Sequence, residues 1–160
     1  MSKPRRIPAA GEGKRGSEGY LAYLLRQANA ATRRALDRAL ADLDVTSPQF
    51  MVLVMVGAYQ PLSSADLARL TFLTPQTINV IIRNLEERRA IVRCPHAVHG
   101  RILNVELTPV GAQLLGQCRR KADQIEAELA TGLRTVAERE VVRRWLAYVA
   151  MSLGVNDGGV

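Results

Sequence analysis

Within the stretch LTPQTINVIIRNLEERR, residues 73–89, one short run of side chains offers directional, uncharged recognition chemistry. Gln76 and Asn79 each place a donor and an acceptor side by side, the pairing that the major-groove edge of adenine accepts. Thr77 adds a hydroxyl that can bond to several bases, Val80 can pack on a thymine methyl, and Arg83, one turn further on, is spaced for a phosphate. Behind them Ile78, Ile81, Ile82 and Leu85 repeat at i, i+3, i+4 and i+7, which is one buried stripe of a helix. Thr74 suits the N-cap and Pro75 the first helical position, where a missing N–H costs nothing. A helix N-terminus ordinarily favours Asp or Glu, because its free amides carry partial positive charge. No acid occurs here before Glu86. A neutral nose leaves those amides available to an external anion such as a phosphate. The competing reading is an ordinary solvated helix face.

Other chemistries are weaker. Cys94-x-His96-x-x-His99 sets three borderline metal ligands within six residues, but no fourth ligand is evident, so no metal is expected. Cys94 lies beside Arg93, and a neighbouring cation lowers a thiol pKa, which makes Cys94 a candidate redox sensor. Cys118 falls on an apolar seam and reads as a small hydrophobe. Two cysteines make no disulfide framework. His96 and His99 are the only histidines and fall in a loop, and neither a Gly-rich phosphate cradle nor a nucleophile elbow appears. The expectation is a protein that is not an enzyme and needs no cofactor.

The 160 residues suffice for one compact domain or two small intertwined ones. The formal charge of +7 suits a polyanionic partner, although basic chains also arise for solubility alone. Apolar residues make up 48% and aromatics only 4%, a balance that favours helices. No apolar run approaches a membrane span, and the first 19 residues lack the apolar core of a secretory leader. A cytoplasmic protein without membrane contact is expected.

The elements that must position the recognition residues follow from periodicity. Residues 1–17 read as a flexible basic arm, and a long helix runs from Tyr20 to Leu43. Ser47-Pro48 starts an all-round apolar helix that ends at Tyr59-Gln60-Pro61. Ser63-x-x-Asp66 is a capping-box start for a short helix, and Thr74 opens the next one. Two short helices joined by a tight turn describe a helix-turn-helix. Residues 91–94 and 101–107 read as strands of a hairpin, its connection running from Pro95 to Gly100. Thr108-Pro109 opens a helix whose Leu115, Cys118, Ala122, Ile125 and Leu129 form a heptad-like seam. A last helix carries Val142, Trp145, Leu146, Val149 and Leu153. The fold class is therefore mainly α with a small β-hairpin wing. A winged helix-turn-helix lobe at about 46–108 is flanked by helices at about 18–43 and 109–153, with a tail at 154–160.

The stretches LSSADLARLTFLTPQTINVIIRNLEERRAIVR and HGRILNVELTPVGAQLL, with the run Leu85-Glu86-Glu87-Arg88 and Leu107-Thr108-x-x-Gly111, resemble the MarR family of winged-helix transcriptional regulators. The resemblance covers Tyr20 to Leu153. It implies a homodimer built from the terminal helices, gripping successive major grooves of a pseudo-palindromic operator in double-stranded DNA. Repression is the usual outcome, relieved by a small aromatic acid or its coenzyme A thioester. A redox-responsive regulator acting through Cys94, or a DNA-binding protein with no effector, are the alternatives. The implied DNA contacts are Gln76, Thr77, Asn79, Val80, Arg83, the wing's Arg101, and His99. Tyr20, Tyr23, Arg26 and Phe50 are candidates for the effector wall, three rings and one cation. An equally open reading makes Tyr23 and Phe50 core and Arg26 solvated. The chain departs from the family pattern where Val80 replaces a common Arg, where Phe72 replaces a common Gly in the turn, and where His96, His99 and Gly100 replace wing charges.

Overall fold

A computed structural model of the chain describes residues 7–95 and 102–154. Six helices and three short strands follow one another: α1 (Leu21–Ala39), α2 (Ser47–Tyr59), β1 (Leu62–Ser63), α3 (Ser64–Thr71), α4 (Pro75–Glu87), β2 (Ile91–Pro95), β3 (Leu103–Leu107), α5 (Pro109–Ala130) and α6 (Val136–Gly154). The chain separates into two compact units, one running to Lys121 and the other starting at Ala122. The first unit is wider than the lobe drawn from sequence at 46–108, since α1 and the first half of α5 belong to it.

Local chemistry explains each boundary. The long first helix stops at Ala39, and residues 41–43 tighten into a 3-10 turn that Asp44 closes in the left-handed conformation, φ 53°. The α2 cap is Thr46, one residue ahead of the Ser-Pro pair. Its hydroxyl accepts from the Gln49 N–H while the Gln49 side chain accepts from the Thr46 N–H. The Ser47 N–H is donated to Asp37 of α1 at 2.6 Å, which ties the two helices together. Thr108 caps α5, accepting from the Gly111 N–H at 3.0 Å. It also donates to the Arg89 carbonyl at 2.6 Å.

The core of the first unit lies between α2, α3, α4 and the sheet, where Val52, Leu53, Val56, Leu67, Ile78, Ile82, Leu85 and Val105 are fully enclosed. The sheet order is β1-β3-β2, antiparallel throughout, with Leu62 opposite Val105 and Ile91 opposite Leu107. The sequence pattern did not reveal β1. Two residues are too few for an alternation, and their strand character comes only from pairing with β3. Two glycines mark close approaches. A Cβ on Gly111 would lie 1.8 Å from the Ala90 carbonyl oxygen, so only glycine lets α5 start against the turn between α4 and β2. A Cβ on Gly57 would sit 2.6 Å from a Leu115 methyl, so α2 and α5 meet there nearly backbone to side chain.

The described part of the basic N-terminal stretch is not the open arm expected from its composition. Ala9 to Gly16 closes on itself through Gly11 N–H to Arg15 O and Glu12 N–H to Ala9 O, both 3.1 Å, and the Arg15 guanidinium reaches the Pro8 carbonyl at 2.7 Å. In the second unit, Val141, Leu146, Tyr148, Met151 and Leu153 of α6 are exposed. Of the stripe expected from sequence, Trp145, Leu146 and Leu153 are exposed and Val142 and Val149 are half-buried.

Candidate nucleic-acid interface

The recognition segment is assembled from α3 outward. Ser63 and Asp66 form a reciprocal capping box: the Ser63 hydroxyl accepts from the Asp66 N–H at 3.1 Å and donates to Asp66 Oδ2 at 2.6 Å, and the Ser63 N–H reaches the same oxygen at 3.0 Å. Arg69, one turn on, holds the other carboxylate oxygen. The hydroxyl and amide of Ser63, then the other neighbours, hold the Asp66 carboxyl below the usual carboxylate range. Leu67 anchors α3 in the core.

Phe72 ends α3 in the left-handed conformation, φ 54° and ψ 31°, which a bulky residue rarely adopts and which costs about 1–2 kcal/mol. The turn therefore keeps a glycine-like backbone although its side chain is aromatic. Thr74 then caps α4, its hydroxyl accepting from the Thr77 N–H at 3.2 Å. Ile78, Ile81, Ile82 and Leu85 are buried, as the spacing requires. Gln76, Thr77, Asn79, Val80 and Arg83 are all exposed on the opposite face. The side chains of Gln76, Asn79 and Arg83 engage no other described residue, whereas the Thr77 hydroxyl is shared with that of Thr74 at 2.9 Å. Thr77 thus spends part of its hydrogen-bonding capacity on the cap.

The C-terminal end of α4 is strapped at two places that sequence reasoning did not find. The Arg88 guanidinium donates to the carbonyls of Asp44 and Leu43 at 2.5 and 2.8 Å, satisfying the end of the turn after α1. Arg93 of β2 pairs with Glu86 of α4 at 2.9 Å, both about one-third exposed, and so joins the wing to the recognition helix. The signal was present in Leu85-Glu86-Glu87-Arg88, but its partners lie far away in sequence. His96, His99, Gly100 and Arg101 lie outside the described residues, and with them the sequence-based wing contact.

The remaining candidates resolve as follows. Cys118 is fully buried and burial pushes its thiol pKa up, in keeping with a packing role. Cys94 is half-buried in β2, opposite Asn104. Among the described residues, no group of three His, Cys, Asp or Glu side chains could hold a metal ion. The four proposed effector-wall residues differ in exposure. Phe50 is buried on the inner face of α2, while Tyr20 is 79% exposed with Lys14 over its ring. Tyr23 is exposed, its hydroxyl accepting from Gln27, and Arg26 is solvated. A cavity of about 430 Å³ instead lies between α2, the end of β3 and the start of α5, lined by Gly57, Gln60, Leu107, Ala112, Leu115, Gly116 and Arg119 among others. Small side chains at 57, 112 and 116 make the space, and Arg119 gives it one cation.

A helix-turn-helix whose second helix presents an exposed polar face with no acid in its first turn, with a strand pair fastened beside it, is a winged helix-turn-helix. The model of the MarR family matches residues 43–102. The HTH-type transcriptional repressor Rv2887 of Mycobacterium tuberculosis is 34% identical over 123 residues, 77% of this chain and 88% of the relative. The chain belongs to the MarR family. Among solved structures, Rv2887 in complex with salicylic acid shares 32% identity over 83% of this chain and 98% of that one, with a TM-score of 0.66. The Staphylococcus aureus MepR–DNA complex shares 27% identity over 83% and 98%, with a TM-score of 0.74.

The capping box yields a pH prediction. A carboxyl held below its ordinary pKa by folded-state partners adds stability above the unfolded value and loses it as pH falls through the folded value. Asp66→Asn should therefore lower stability to urea at pH 7, and the gap from wild type should narrow as pH drops below about 4. A gap that stays constant from pH 7 to pH 3 would contradict this.

Proposed function

We propose that the protein is a sequence-specific, double-stranded DNA-binding transcriptional repressor that works as a homodimer and releases DNA when a small aromatic acid binds. The observation that carries this reading is the nose of α4. Its first turn holds no acid, and on its exposed face Gln76 and Asn79 have no partner among the described residues. Such an end attracts phosphates and presents side chains that discriminate bases. Gln76, Thr77, Asn79 and Val80 read base edges, and Arg83 neutralises a phosphate. Arg101 and His99 join them from the wing on sequence grounds. The open apolar faces of α1 and α6, with Leu21, Trp145 and Leu146 exposed, suit burial against a second copy. The salicylate complex of the related repressor and the MepR–DNA complex support both halves of the proposal. No step of it is catalytic, and its place is wherever the genome is, the cytoplasm in a bacterium. No helix among the described residues is long and apolar enough to cross a membrane.

For the effector, the cavity between α2 and α5 replaces the wall read from sequence. Its volume suits a single-ring acid, so the coenzyme A of a thioester would have to extend outside it. Arg119 would hold the carboxylate, and the ring would lie against Leu107 and Leu115. Because the cavity touches both the base of the wing strand and the helix that follows it, filling it changes how β3 passes into α5.

Two outcomes test this. With a duplex selected by the wild-type protein from a randomised library, Gln76→Ala or Asn79→Ala should cost about 1–3 kcal/mol, and much less on random duplex; equal losses on both would refute base reading. Titration with salicylate should release the selected duplex from wild type, while Arg119→Ala should need at least about tenfold more, one ion pair's worth of binding. An unchanged salicylate response in that variant would remove the cavity from the mechanism.

A further inference from the structure

Two unfavourable features coincide at one residue of the helix-turn-helix. Phe72 holds a left-handed backbone, φ 54°, and its side chain is 69% exposed. The next residue, Leu73, is half-buried and Phe72 is not, so the turn directs its larger ring away from the core. A glycine would satisfy the same backbone without strain and without leaving an aromatic ring in water. Strained conformations that the rest of a fold over-determines concentrate at functional sites. Here α3 is fixed by its capping box and Leu67, and α4 by Thr74 and its isoleucine stripe, so the two residues between them have little freedom.

Phe72 lies two residues before the Thr74 cap, at the entrance to the helix end that faces DNA in the reading above, on which this inference rests. Residues in the first turns of α4 reach base edges, so a side chain just ahead of the cap lies further out, at the rim of the groove. The apolar surface available at that rim is the deoxyribose. Flanking cations fit the same surface: Arg69 is largely exposed on α3, although it shares Asp66, and Arg83 on α4 has no partner among the described residues. We propose that Phe72 is a DNA-contact residue whose ring packs on a backbone deoxyribose at the groove edge, adding affinity that does not depend on sequence. Folding strain and exposure at this one residue are then offset only in the complex.

The contact has a signature that separates it from base reading, from phosphate pairing and from simple support of the turn. Phe72→Asn keeps a residue that tolerates the left-handed conformation and removes the ring. The variant should unfold in urea at the same or higher concentration than wild type. It should bind both the selected duplex and a random duplex about fivefold more weakly, as expected for re-exposing part of an aromatic side chain. The ratio of the two affinities and the slope of log affinity against log salt should not change, because no base contact and no ion pair is lost. Phe72→Tyr should retain wild-type affinity. Wild-type affinity in Phe72→Asn would overturn the proposal, and so would a loss confined to the selected duplex, which would mean that the turn only positions Gln76 and Asn79. A change in native mass in Phe72→Asn would assign the ring to a contact between copies instead. If wild type itself binds neither duplex, the DNA-binding reading fails with it; if wild type and Phe72→Asn bind alike, only the ring contact fails.

Discussion

The N-terminus of α4 is the constraint around which the first unit is arranged. A helix end carries unsatisfied amides and a partial positive charge, which an acid in the first turn can answer, as Asp66 does in α3 and Glu138 in α6. Helix α4 answers only part of the need, through the Thr74 hydroxyl, and leaves the rest open. The consequence is a helix that must be held by other means. Its inner stripe of three isoleucines and a leucine, fully or nearly fully buried, supplies most of that hold. The capping box of α3 sets the direction from which the chain enters, and the left-handed Phe72 turns it into the cap.

The far end of α4 is fixed by longer-range bonds. Arg88 ties it to the carbonyls behind α1, and Glu86 ties it to Arg93 in the wing strand. Thr108 and Gly111 then bring α5 against Ala90, with the Thr108 N–H on the Ala90 carbonyl at 3.1 Å and its hydroxyl on that of Arg89. These contacts fasten α4, the described wing strands and the start of α5 to one another. The cavity between α2 and α5 sits beside this junction. An occupant there would press on Leu107 and Thr108, the residues through which the wing passes into α5. That is a physical route from a small acid to the angle of the wing, and it needs no change in α4 itself.

Much of this was legible in the sequence because the signals are local. The hydroxyl-proline starts at residues 47, 74 and 108, the Ser63–Asp66 box and the isoleucine stripe each act within one helical turn, and each appears in the structure. What was hidden depends on distance. Strand β1 exists only through its pairing with β3, and the Arg88 and Arg93 contacts join residues whose proximity follows from the fold. The cavity between α2 and α5 was hidden too, because space in a packed unit is made by small residues that carry no chemical signal. Phe50 serves the core, Tyr20 and Arg26 face solvent, and Gly57, Ala112 and Gly116 outline the cavity. The closed loop at residues 9–16 was hidden for another reason, since a basic, glycine-rich composition carries no sign of its own hydrogen bonds.

The central claim is that the first turn of α4 is free of acid because a polyanion approaches it, and not because its residue types are indifferent. Gln76→Glu tests this with almost no change in shape. An acid at that position should favour the helix dipole and raise stability to urea by about 0.3–1 kcal/mol. The same charge, facing phosphates, should weaken binding to the selected duplex by at least about 100-fold, the loss of a close contact together with like-charge repulsion. Stability that rises while DNA affinity collapses is the result the account requires. A Gln76→Glu variant that binds the selected duplex as well as wild type would contradict it.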